Sequence, residues 1–201
     1  QLKVSYAYQD IEDLPDEFPA TKKRNKPWGT GHATWCARDV IDGSFAVCNA
    51  DDFYGKDAFR LLADFLSQME SSDGLACAMA GFRLVDVTSV NGTVARGICT
   101  IEEGLLRTVE ETTSIQRNGT GYEGLGGQGL PVSLTGEETV SMNVWAFPQK
   151  FFSELERGMK TFGETANDLE AEEFYLPAAV DAMIREGRGT AQTYQARGPW
   201  M

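Results

Sequence analysis

A chain of 201 residues that is 42% apolar and 24% charged is long enough to bury a substantial core, and it reads as one domain over 1–201. No apolar run approaches the ~18 residues a transmembrane helix needs, and no basic-then-apolar start reads as a signal peptide, so no membrane partner is expected. A net charge of −12 argues against a nucleic-acid partner, because binding phosphates needs clustered Lys and Arg, and the one basic cluster, Lys22-Lys23-Arg24 with Lys26, is short.

In chain order, Leu2–Gln9 alternates apolar and polar residues and predicts a strand. Residues 10–27 are polar with three prolines and predict a loop. Gly29-Thr30-Gly31-His32-Ala33 then leads into a predicted helix, Ala33–Ile41. Two glycines around a hydroxyl residue allow two readings. Either Thr30 caps a helix N-terminus, or backbone N–H groups approach a ligand closely there. His32, the only histidine, is open to a structural or a functional role.

Phe45-Ala-Val-Cys48 climbs to Asp51 and Asp52 and then to Gly55. This predicts a buried parallel strand whose carboxyl end delivers acidic residues to a cleft, where ligands of open α/β sheets sit. Two adjacent Asp residues on a strand face opposite ways, so one of them serves the cleft. A solvated acidic turn and a metal site both remain open.

Phe59, Leu62, Phe65, Leu66 and Met69 recur at helical spacing after Gly55. Leu75–Val87 reads as a second core strand, Asn91-Gly92 as a turn, and Arg96–Ile101 with Leu105–Val109 as two strands joined at Glu102-Glu103-Gly104. Gly121–Gly129 is glycine-rich but is followed by Pro131 and no amphipathic helix, so it reads as a flexible loop. Thr139–Phe147 predicts a strand, Lys150–Phe162 and Pro177–Glu186 helices, and Thr190–Ala196 a last strand. Strands alternating with helices predict an α/β domain, and the central hairpin predicts a mixed sheet. The four cysteines, Cys36, Cys48, Cys77 and Cys99, are widely spaced and read as reduced, buried thiols of a cytoplasmic protein.

Two motifs in sequence resemble a known family. Gly29-Thr30-Gly31-His32-Ala33, followed by a strand ending Asn49-Ala50-Asp51-Asp52-Phe53-Tyr54-Gly55, closely resembles the sugar-1-phosphate nucleotidyltransferases. Weaker matches follow in the family's order: Gly92–Gly97, Val109-Glu110-Glu111, Val140-Ser141-Met142-Asn143 and Glu172-Glu173-Phe174-Tyr175-Leu176-Pro177. The resemblance covers about residues 4–200. It implies a Rossmann-like three-layer nucleotidyltransferase domain with a mixed, mostly parallel central sheet. The implied reaction joins a nucleoside triphosphate, uracil or thymine favoured, to a sugar-1-phosphate, with Mg²⁺ as cofactor and pyrophosphate released.

On the same resemblance Asp51 is the catalytic metal ligand, with Asp52 the reserve. Arg96 and Lys26 are the cations for phosphate charge. Gln9, Gly29, Thr30, Gly31 and His32 contact the nucleotide, and Gly97, Glu110, Asn143 and Glu173 the sugar. Many family members self-associate through parts that this chain can lack, which leaves a homo-oligomer open. The departures are also specific. The family's opening Gly-x-Gly-x-Arg loop and following Lys, which hold the triphosphate, have no counterpart here. Thr112 replaces the lysine that many members carry after the sugar-binding glutamate, and the chain stops at Pro199-Trp200-Met201. The chain therefore reads as the middle of such a domain, truncated at both ends or naturally short. A non-catalytic nucleotide-sugar-binding or regulatory module is the alternative.

Overall fold

The computed structural model describes residues 3–19, 24–69, 74–89 and 92–197. Its helices are α1 (Thr30–Trp35), α2 (Gly55–Gln68), α3 (Phe151–Thr165) and α4 (Leu176–Arg185). Its strands are β1 (Phe45–Val47), β2 (Ala76–Arg83), β3 (Val94–Glu102), β4 (Leu105–Asn118), β5 (Gly121–Leu125), β6 (Pro131–Leu134), β7 (Thr139–Phe147) and β8 (Thr190–Gln195). They form one sheet in the order β1-β7-β2-β8-β4-β5-β6, with β3 paired to β4 and β7.

The architecture is mixed α/β, but the expectation of a mostly parallel sheet is corrected. Among the described residues β2 and β8 are the one parallel pair, and every other pairing is antiparallel. Topology explains this. Parallel neighbours need a long connection, and β2 and β8 are joined only through all the elements between them, α3 and α4 last. β3 through β6 instead follow one another by short turns, as at Glu103-Gly104, where both residues have positive φ and suit a two-residue hairpin.

Other expectations are corrected with it. β1 is not a buried parallel strand but a three-residue edge strand antiparallel to β7, in register Phe45↔Phe147 and Val47↔Trp145. Residues 3–9 are not in a strand, and Val4, Tyr6 and Tyr8 are exposed. Alternation signals a strand only where a neighbouring strand supplies the ladder. The first helix begins at Thr30 and ends at Trp35, short of Ile41, with turns at 36–40. The glycine-rich stretch is not a loop but β5 followed by a 3₁₀ turn, Gly127–Gly129. Gly124 serves strand packing there, since a Cβ would lie 2.9 Å from the Thr112 methyl. Leu2, Lys22, Lys23, Asn91 and residues 199–201 lie outside the described residues.

β2 and β7 place alternate residues on two apolar faces. Cys77, Met79, Trp145 and Phe147 pack with α1, α3 and α4 through Trp35, Phe151, Leu155, Leu176 and Val180. Ala78, Ala80, Phe82, Val144 and Ala146 pack with Ala58 and Leu62 of α2. Burying each large side chain of this kind is worth about 1.5–3 kcal/mol. Among the described residues no helix is long and apolar enough to cross a membrane. Cys36 and Cys77 are buried and Cys99 half-buried, while Cys48 is exposed because β1 ends one residue before it.

Candidate functional site: a polar cleft beside an irregular strand

β7 is regular only at its ends. Gly81 pairs with Ser141 and Met79 with Trp145, so β7 carries extra residues between them, and Asn143 there has φ 61°. Asparagine is among the few non-glycine residues that tolerate this left-handed region. A bulge of this kind breaks the ladder and re-aims side chains. It opens a cleft of about 280 Å³ between three other parts of the fold. The turn after β1 brings Asn49 and Asp52. β3 and β4 bring Arg96, Gly97 and Glu111. The start of α4 brings Tyr175 and Pro177, with Thr30, Ser141 and Asn143 completing the polar lining.

The floor is a connected hydrogen-bond network. Asn143 Nδ2 donates to Asn49 Oδ1 at 2.7 Å, and Asn49 Nδ2 donates to Asp52 Oδ2 at 2.8 Å. The Tyr54 hydroxyl, which carries one proton, lies 2.8 Å from Met142 O and 3.1 Å from Asp52 Oδ2. Burial pushes the Tyr54 phenol well up, so it stays a neutral donor. Asn143 Oδ1 is buried and accepts no hydrogen bond. It is an unsatisfied buried acceptor beside the cleft, the kind of group that calls for an explanation.

The cleft holds charges of both signs. Arg96 donates to Val87 O from Nε and Nη2 at 3.1 and 2.7 Å, which fixes its guanidinium. Burial lowers its pKa, against the opposing pull of Asp52 and Glu111. Burial likewise raises the Glu111 carboxyl, with Arg96 opposing.

Of the residues named from sequence, the structure brings Thr30, Asp52, Arg96, Gly97 and Asn143 together in this cleft. Asp51 is exposed and does not line it. Glu110 points to the other face of β4, where its Oε1 accepts from Gly127 N at 2.6 Å, and its neighbour Glu111 faces the cleft. Lys26 pairs with Glu173 at 3.1 Å just outside the lining. Gln9 donates to Gly29 O at 2.9 Å and to His32 Nδ1 at 3.2 Å. His32 is fully buried, with Nε2 2.7 Å from Asp13 O. A carbonyl accepts only from an N–H, so the proton sits on Nε2 and Nδ1 accepts from Gln9.

The two glycines have a packing role. Gly29 has φ 104°, and a Cβ there would meet Phe174 O at 2.6 Å; a Cβ on Gly31 would meet the Phe174 ring at 2.5 Å. Their absence lets residues 174–176 dock as an extra seam: Phe174 N donates to Trp28 O, Gly31 N to Phe174 O, and Leu176 N to Thr30 Oγ1. Thr30 therefore holds the start of α4, and it is the first residue of α1, not its cap. Sequence reasoning missed Asn49, Tyr54, Glu111, Ser141 and Tyr175. Asn49 and Tyr54 sat inside the acidic stretch, and Glu111 is one step along the alternation from Glu110.

No family model matches the sequence, and no curated protein matches it. Among solved structures, the chain is similar to one described as a glucose-1-phosphate thymidylyltransferase from Bacillus anthracis in complex with sucrose, 11% identical with a TM-score of 0.47. The match covers 88% of this chain and 56% of that one. Another, UDP-glucose pyrophosphorylase complexed with UDP-glucose, is 19% identical with a TM-score of 0.44, over 87% of this chain and 57% of that one. The chain thus spans a little over half the length of each. The roles of the cleft residues rest on their own chemistry. Among the described residues no group of three or more His, Cys, Asp or Glu side chains is arranged to hold a metal ion.

Proposed function

We propose that the cleft binds the sugar of a sugar-1-phosphate or nucleotide-sugar, within a reaction that transfers a nucleotidyl group from a nucleoside triphosphate to the sugar-1-phosphate. The observation that carries this is the lining itself. Asn143 with its unused oxygen, Glu111, Ser141 and Asn49 offer oriented partners for several hydroxyls, and Arg96 offers charge to one phosphate. Asparagine and glutamate side chains discriminate among hydroxyl patterns because a mismatched partner leaves a buried polar group unpaired.

A sugar-phosphate oxygen is already ionised at neutral pH, so attack on the α-phosphorus needs positioning and charge neutralisation more than a base. Arg96 would steady the phosphate, and Asp52, held by Asn49 and Tyr54, would supply the carboxylate for Mg²⁺. One carboxylate with substrate phosphates fits that ion's usual donor set, and the metal when bound would offset the crowded negative charge. Uracil or thymine is the proposed base. Asp51 is solvent-facing, so the metal role passes to Asp52 in this reading.

A second reading is favoured by one feature. Arg96 is the only cationic side chain lining the cleft among the described residues. That supply of positive charge suits a nucleotide-sugar better than a triphosphate, as in a non-catalytic binding module. A thermal-shift panel of nucleotide-sugars with and without Mg²⁺ tests both, since a ligand at ~100 times its dissociation constant should stabilise the fold by about 2.7 kcal/mol. The expected result is a shift for one uracil or thymine sugar. For transfer, Asp52→Asn should abolish pyrophosphate release while Asp51→Asn retains it. The reverse pattern would refute the assignment, and binding without any release would establish the module.

A further inference from the structure

We propose that Tyr175 is a ligand-contacting, specificity-determining residue of the cleft that packs its ring against the C–H face of a pyranose. This rests on the sugar-binding reading above and adds a residue and a ligand class to it. Tyr175 is the only aromatic side chain lining the cleft among the described residues, and it is 48% exposed between two buried neighbours, Phe174 and Leu176. A pyranose has a polar rim and apolar C–H faces. A site for it needs hydroxyl partners, which Asn143 and Glu111 supply, and a flat apolar surface, which the Tyr175 ring offers beside Ala95, Met142 and Pro177.

The backbone that carries the ring is also held in place before any ligand arrives. Main-chain hydrogen bonds fix both neighbours, Phe174 N to Trp28 O at 2.7 Å and Leu176 N to Thr30 Oγ1 at 3.0 Å. Pro177 restricts the backbone just beyond. The adjacent Glu173 carboxylate is itself anchored, by Lys26 at 3.1 Å. An exposed aromatic fixed on both sides loses little freedom on binding.

The test is calorimetric titration of wild type, Tyr175→Ala and Tyr175→Phe with UDP-glucose and, separately, with UDP. Tyr175→Ala should weaken UDP-glucose binding by about tenfold and leave UDP within about twofold. Tyr175→Phe, which keeps the ring, should stay within about threefold of wild type for both and serves as the folding control. No loss in Tyr175→Ala, or an equal loss for both ligands, overturns this proposal alone. A wild type that binds UDP and UDP-glucose equally, or neither, overturns it together with the sugar-binding reading.

Discussion

His32 shows how a residue that invites a functional reading can be a structural one. Its Nε2 proton goes to Asp13 O, its Nδ1 accepts from Gln9, and it is stacked on Trp35 at 6.0 Å. Burial pushes its pKa below the ordinary 6.5, outweighing the hydrogen bond to Asp13 O. A depressed folded pKa means the unfolded chain binds the proton better, so the stability His32 provides is complete above about pH 6.5. It is lost as pH falls through the folded value. Protonation would also turn Nδ1 into a donor facing the Gln9 amide, breaking the link to Gly29. The melting temperature should therefore fall between pH 7 and pH 5. A His32→Asn variant, destabilised throughout, should lose that part of the slope. A wild-type melting temperature flat across this range would refute the buried neutral imidazole.

At the scale of elements, the seam between residues 28–31 and 174–176 links the helical face to the cleft. Arg24 reinforces it. The side chain is buried, donates to Leu169 O, Glu172 O, Lys26 O and Pro27 O, and lies over the Trp28 ring at 3.9 Å. Its removal strands four carbonyls, and Arg24→Met should cost about 3 kcal/mol in urea denaturation. Arg24→Lys, which cannot reproduce the planar fork, should recover only part of that. Full stability in Arg24→Met would show that the seam holds without it.

The Gly-Thr-Gly motif was legible as a place where backbones approach closely, but its partner, Phe174, was not, because a contact nearly 150 residues away leaves no local pattern. Helix periodicity found α2, placed α4 within one residue at each end, and ended α3 at Phe162, three residues short of Thr165. Direction of pairing was another matter. The run Phe45–Cys48 is as apolar as a parallel strand because β1 is partly covered by Phe147 and Phe152, and hydrophobicity records burial, not orientation. The choice between Glu110 and Glu111 fails for the reason that a one-residue step on a strand reverses its face.

Across the whole molecule, the two apolar clusters share strands, since neighbouring residues of β2 and β7 feed opposite faces. Neither helix layer can detach without exposing one side of both strands, which predicts a single cooperative unit. The distribution of chromophores makes this measurable. Trp28, Trp35 and Trp145 all lie in the cluster under α1, α3 and α4, whereas Tyr54, Tyr122 and Tyr194 belong to the cluster under α2. With Trp200, outside the described residues, replaced by Phe, tryptophan fluorescence reports one face and far-ultraviolet circular dichroism the whole chain. Leu62→Ala, in the α2 layer and in the cluster that holds none of the described tryptophans, should cost about 2–5 kcal/mol. If the faces unfold together, that loss appears equally in the fluorescence and dichroism midpoints. A variant whose fluorescence transition stays at the wild-type midpoint while the dichroism transition splits would mean that α2 melts by itself.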